Sequence, residues 1–103
     1  MAKMVVIYKH PPNPAAFDEH YRRVHIPLAM KLPGLRKYEV SQGPIVCPRG
    51  AADTYLIGTL HFDDMQALQH AFTSPEGVAC ARDVSNYARP EDVQMFLFDD
   101  RVA

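Results

Sequence analysis

A tyrosine and a histidine four residues apart, Tyr21 and His25, stand in the run F-D-E-H-Y-R-R-V-H-I-P-L-A of residues 17–29. Side chains at that spacing meet on one side of a helix. Imidazole, with an ordinary pKa of about 6.5, both takes and gives a proton near neutrality. A phenol beside it can orient a hydroxyl or carbonyl, and the pair suits proton shuttling during enolisation, ring closure or dehydration. At about 100° per residue, Phe17, Tyr21, Val24 and Leu28 share a narrow apolar face, with His25 about 60° off its centre. A histidine there can touch both the core and a neighbouring cavity. A structural role competes with the catalytic one: Pro27 removes the donor that the Arg23 carbonyl would have met, and His25 could bond carbonyls freed in this way.

Four further residues fall on expected strands, where alternate side chains face the same way: Tyr8, Tyr38, Tyr55 and His61. They could line a cavity between sheet and helices, or fill the core or an interface between chains. His10 sits in a loop, and His20 and His70 point away from the apolar stripes, where water would hold them. Arg22-Arg23 and Arg36-Lys37 read as the wet sides of their elements. Cys47 and Cys80 form neither a C-x-x-C pair nor a zinc-spaced cluster, so two reduced thiols and no metal site are expected. There is no G-x-S-x-G, phosphate loop or dinucleotide fingerprint, and no cofactor is expected.

The elements that must position these groups belong to a chain of 103 residues with 48% hydrophobic content and a formal charge of −1. That length suits one domain over 1–103. Near-neutral, scattered charge lacks the footprint of a nucleic-acid binder. The apolar run Met4-Val5-Val6-Ile7-Tyr8 is too short for a signal core or membrane span, and a cytoplasmic protein is expected.

Met4–Tyr8 reads as a strand, ended by Pro11-Pro12. Asn13 as cap and Pro14 at the first position start a helix that should kink or tighten near Arg23–Pro27 and stop at Leu32-Pro33-Gly34. Residues 36–42 and 54–62 form two strands. A second helix over about 64–73 follows a cap at Asp63, a third over 76–87 carries Val78, Ala81 and Val84 at helical spacing, and a strand over 93–98 closes the chain. The order β-α-β-β-α-β is the ferredoxin-like split βαβ arrangement, a four-stranded antiparallel sheet with helices on one face. Yet residues 5–8, 55–57 and 95–98 are apolar at both parities instead of alternating. The second face needs a cover, and a homodimer through the sheet faces supplies one.

The order F-x-x-x-Y-x-x-x-H-x-P-L-A, then L-P-G-L and a Tyr-led strand, resembles the EthD family, named for ethyl tert-butyl ether degradation, within the dimeric α/β-barrel superfamily. The resemblance implies a barrel-like dimer, and His25 matches the family's motif histidine. Tyr38 directly follows the L-P-G-L turn. Asp83 falls where EthD-like chains often place an acidic residue, and could orient a histidine or lysine, although a surface charge is the default. Related barrel families include cofactorless monooxygenases, lactone isomerases, and cyclases or dehydratases; some hold haem through a helical histidine, for which nothing else here speaks. The expected protein binds a small hydrophobic, aromatic or lactone-like catabolite, with His25 as acid/base and Tyr21 or Tyr38 positioning an oxygen. The alternative is a non-catalytic accessory protein of an oxidative degradation pathway.

Overall fold

The computed structural model describes residues 1–103. Four strands, β1 (Ala2–Tyr8), β2 (Lys37–Val40), β3 (Leu56–Phe62) and β4 (Val93–Asp99), form one antiparallel sheet in the order β2-β3-β1-β4. This is the ferredoxin-like arrangement, of the α+β class. Helices α1 (Pro14–His20), α2 (Ile26–Ala29), α3 (Met65–Thr73) and α4 (Pro75–Asp83) complete the chain. Ala2, Met4, Val6 and Tyr8 of β1 are buried with Leu60 and Phe62 of β3, and the intervening residues of both strands are only half-buried. One face of the sheet is therefore the core face, sealed by Phe17, Tyr21, Ala29, Leu32, Leu68 and Cys80.

The caps lie where proline and small polar residues direct them. Asn13 accepts from the Ala16 amide at 3.1 Å with Pro14 at the first helical position, and Ser74 accepts from the Gly77 amide at 3.1 Å ahead of Pro75. Asp64, one residue beyond the expected Asp63, caps α3 through the Ala67 amide at 2.7 Å, while Asp63 takes two hydrogen bonds from Arg36. Helices α3 and α4 meet so closely that a Cβ on Gly77 would fall 2.1 Å from the Ala71 carbonyl oxygen. Only glycine fits that corner.

The first helix departs from expectation. It neither tightens nor simply kinks at Pro27; Tyr21–His25 widen into a π-turn, with the Ile26 amide donating to the Tyr21 carbonyl five residues back. The wider turn takes up more residues, so Phe17, Tyr21, His25 and Ala29 line up inward while Val24 is 40% exposed. His25 thus occupies the inward position that uniform helical spacing gives to Val24. The same shift brings Ile26 against the core. Helix α4 turns Gly77, Cys80 and Asp83 inward, while Val78 and Ala81 are exposed. The helix expected to reach Tyr87 gives way at Val84–Asn86 to a tighter 3₁₀ turn.

Candidate functional site

The π-turn, α4 and the sheet enclose a cavity of about 240 Å³. Met4, Val6 and Leu60 form its floor, and Cys80, Ala81 and Val84 one wall. Met95 and Leu97 of β4 also line it and are each 44% exposed, which puts the mouth at that edge of the sheet. No lysine, arginine, aspartate or glutamate lines it. The lining residues that carry polar groups are His25, Cys80, Tyr8, Tyr21 and Tyr38.

His25 is 5% exposed and its Nδ1 lies 3.0 Å from Asp83 Oδ2. An ionised carboxylate only accepts, so Nδ1–H donates and the free lone pair resides on Nε2. Nε2 has no protein partner nearer than Cys80 Sγ, 3.9 Å away. Asp83, also 5% exposed, takes two more hydrogen bonds at Oδ1, from His20 Nε2 at 2.8 Å and Asn86 Nδ2 at 3.0 Å. Burial alone would raise the Asp83 pKa, but the hydrogen bonds from Asn86, His20 and His25 outweigh it and hold the carboxyl below its ordinary value. Burial acts the other way on His25: it disfavours the imidazolium and lowers the pKa against the opposing pull of Asp83. Near neutral pH the pair is a carboxylate orienting a neutral imidazole. The arrangement supplies a desolvated base of fixed tautomer at the cavity wall.

The phenols form the other polar part. Tyr8 and Tyr87 hydroxyls pair at 2.7 Å, and those of Tyr21 and Tyr38 pair in a very close contact. Each pair owns two hydroxyl hydrogens and spends one on its own link, so one hydrogen per pair remains to donate. Burial raises all four pKa values, keeping the phenols protonated. Such donors can receive an oxygen on which negative charge develops. Gly58 makes the room: a Cβ there would lie 3.1 Å from the Tyr21 hydroxyl. The Tyr21 ring centre is 5.3 Å from that of His25, so phenol and base share one end of the cavity.

Of the residues singled out in sequence, His25, Tyr21, Tyr38 and Tyr8 converge on this cavity. Two others do not. Tyr55 donates to Asp18 at 2.8 Å and packs edge-on against His10 above a separate surface groove. His61 projects from the opposite face of the sheet, where alternation places it, and meets Glu39 at 2.6 Å. The helix-end role for His25 also gives way, because its ring nitrogens meet side chains of α4 and not the carbonyls near Pro27. Asp83 is no surface charge, and His20 is not simply solvated: it binds Asp83 and stacks on Tyr87 with ring centres 5.5 Å apart. Tyr87 was not singled out. The spacing Cys80, Asp83, Tyr87, one helical side, would have revealed it beside the thiol and the carboxylate.

A ferredoxin-like α+β domain whose helix layer holds a carboxylate-bound histidine against an apolar, phenol-edged cavity defines the class. The EthD domain model matches residues 9–91, and the chain belongs to the EthD family. An ethyl tert-butyl ether d (ethd) family protein from Bacillus halodurans is 33% identical, covers 98% of this chain and 99% of its own, and superposes with a TM-score of 0.89. A Rhodococcus erythropolis protein, described as an uncharacterized 11.0 kDa protein in the thcB-thcC intergenic region, is 31% identical over 102 residues, 99% of this chain and 98% of its own length. SnoaB, a cofactor-independent oxygenase from Streptomyces nogalater, shares the fold at 17% identity and TM-score 0.68, over 99% of this chain and 94% of its own. Further solved structures of this fold include dimeric ferredoxin-like proteins of unknown function. No helix is long and apolar enough to cross a membrane.

Proposed function

We propose that this protein binds a small, uncharged, largely apolar ring compound in the 240 Å³ cavity and moves a proton on it, with His25 Nε2 as general base. The observation that carries this reading is a buried imidazole, in the wall of a largely apolar cavity, whose Nδ1–H is committed to Asp83 and whose Nε2 meets nothing closer than Cys80 Sγ. A carbonyl or phenol oxygen would sit against the Tyr21–Tyr38 pair, where a spare hydroxyl hydrogen stabilises the enolate or phenolate as His25 removes the proton. Returning that proton to another atom is isomerisation; losing a neighbouring hydroxyl is dehydration. Oxygenation without a cofactor would begin from the same carbanion, and the fold shared with SnoaB is compatible with that start. A carboxylate or phosphate substrate would find no lysine or arginine in the cavity wall.

The working form in this reading is a cytoplasmic homodimer joined through the outer sheet faces. Val5 opposite Phe96 and Lys3 opposite Phe98 place both phenylalanines on that face, 49% and 42% exposed in the single chain. A second copy covers such a patch at the lowest cost in exposed apolar area.

The test follows deuterium entry next to the carbonyl of α-tetralone, an uncharged two-ring ketone, by NMR in D₂O. The wild-type protein should accelerate exchange, and His25→Ala should abolish the acceleration. Binding of tetralone without accelerated exchange would favour the accessory, non-catalytic role. Absence of both would overturn the reading.

A further inference from the structure

The geometry points to a second chemistry in the same cavity: Cys80 is a nucleophile for reversible addition to small, uncharged α,β-unsaturated carbonyl compounds, with His25 as its base and Asp83 as the residue that positions the base. This rests on the cavity reading above but not on turnover by proton transfer alone. Cys80 Sγ, His25 Nε2, His25 Nδ1 and Asp83 Oδ2 follow one another with separations of 3.9 Å between thiol and imidazole and 3.0 Å between imidazole and carboxylate. That order of nucleophile, base and orienting carboxylate is the one by which weak nucleophiles are activated, and the nucleophile–base contact is often long in an unliganded site. All three residues are at least 95% buried, and the thiol and imidazole both line the cavity.

Two features separate Cys80 from a small core residue. The free edge of a buried imidazole is aimed at it and has no other partner. The space beside it continues to a mouth at Met95 and Leu97, so a reagent has a way in. Burial raises the Cys80 pKa to about 11, so at neutral pH the group is a thiol with little reactivity of its own. Its reaction therefore depends on the neighbouring base, which makes the inference testable.

The step balances without any oxidant or reductant. The Sγ–H proton passes to His25 Nε2 as the sulfur lone pair bonds to the β-carbon of the acceptor. The C=C pair shifts to form the enolate, whose oxygen takes a hydrogen bond from the spare hydroxyl of a phenol pair. His25 Nε2–H then returns the proton to the α-carbon, leaving a saturated thioether and the neutral imidazole; reversal releases the acceptor.

The experiment treats the folded full-length protein with cyclohex-2-enone at neutral pH and follows adducts by intact mass and peptide mapping. Exposed Cys47 provides the internal reference. Cys80 should add one enone, and His25→Gln should slow that addition by at least about a hundredfold, the lower end of what a general base supplies, while the Cys47 rate stays constant. Asp83→Asn, which keeps the size of the side chain, should slow Cys80 in the same sense and serves if the histidine variant does not fold. Labelling of Cys47 with Cys80 untouched in the wild-type protein overturns the inference, as does an equal Cys80 rate in a folded His25 or Asp83 variant. Tetralone exchange does not need the thiol, so retained exchange with no Cys80 adduct defeats this inference alone. Adducts without exchange defeat only the proton-transfer reading.

Discussion

The helix side and the outer side of the sheet each hold a histidine against a carboxylate, and the shorter contact is the less consequential one. His61 and Glu39 meet at 2.6 Å on the outer face, with the Glu39 side chain 51% exposed; His25 and Asp83 meet at 3.0 Å, each side chain under a tenth exposed. Water screens the outer pair and can replace either partner, so little energy depends on it. Around the inner pair no such replacement exists, and three donors converge on one carboxylate. The lesson is that enclosure, and what lies on the free side of the imidazole, makes a site of one pair and a surface contact of the other. His25 lies in the wall of a largely apolar cavity; His61 lies on the face proposed to meet a second chain.

Removing each carboxylate in turn should separate the two pairs most strongly. Asp83→Ala leaves the buried Nδ1–H of His25 without an acceptor, while His20 and Asn86 can turn to water, and should cost about 2–3 kcal/mol. For a domain of this size that lowers the melting temperature by about 8 °C or more in calorimetry at fixed protein concentration. Glu39→Ala should cost under about 1 kcal/mol. Equal losses would mean that burial does not distinguish the pairs.

A smaller effect sharpens the account of the cavity. Gly58→Ala puts a methyl against the Tyr21 hydroxyl and should cost about 1–3 kcal/mol by overpacking, with loss of tetralone exchange exceeding what the stability change explains. An alanine variant of wild-type stability and activity would show that the Tyr21–Tyr38 pair is not held by that glycine.

The smallest effect separates the pairs along the pH axis. His25 has a lowered pKa in the folded state, so below the unfolded histidine value, about 6.5, the unfolded chain binds the proton more readily and stability falls as pH drops. Glu39 and Asp83 are lowered carboxylates, whose contributions are present above the unfolded carboxylate value and vanish only at lower pH as they protonate. Denaturant unfolding between pH 6.5 and 5 should therefore show a slope of up to about 1.4 kcal/mol per pH unit, one proton's worth, that His25→Gln flattens. An unchanged slope in that variant would assign the acid sensitivity elsewhere.

Much of this architecture is readable in the chain because it rests on local chemistry. Asn13-Pro14 and Ser74-Pro75 mark helix starts through capping and fixed φ, and runs of β-branched and aromatic residues mark the strands. His25 is legible as a candidate from its spacing to Tyr21. Its inward placement is not, because uniform helical spacing gives that position to Val24, and the π-turn that reverses the two depends on Pro27 acting together with the packing of the helix. Asp83 stands 58 residues from His25, a pairing that no local pattern contains; only the family resemblance hinted at an orienting acid. His61 shows the limit of strand parity, which groups side chains by face without saying which face the helices cover. Tyr87 lies beyond the 3₁₀ turn at Val84–Asn86, and its packing on His20 and His25 rests on contacts distant in sequence.

In the proposed mechanism His25 is a neutral, buried base with its Nδ1 proton held by Asp83 and its Nε2 lone pair free for a ligand. Long-range ¹H–¹⁵N NMR of the histidine rings at pH 7 reads this directly. The account expects His25 to carry its proton on Nδ1, to show a bare Nε2 that shifts when tetralone is added, and to titrate below about 6.5. A His25 ring that is doubly protonated at pH 7, or protonated on Nε2 alone, would contradict it.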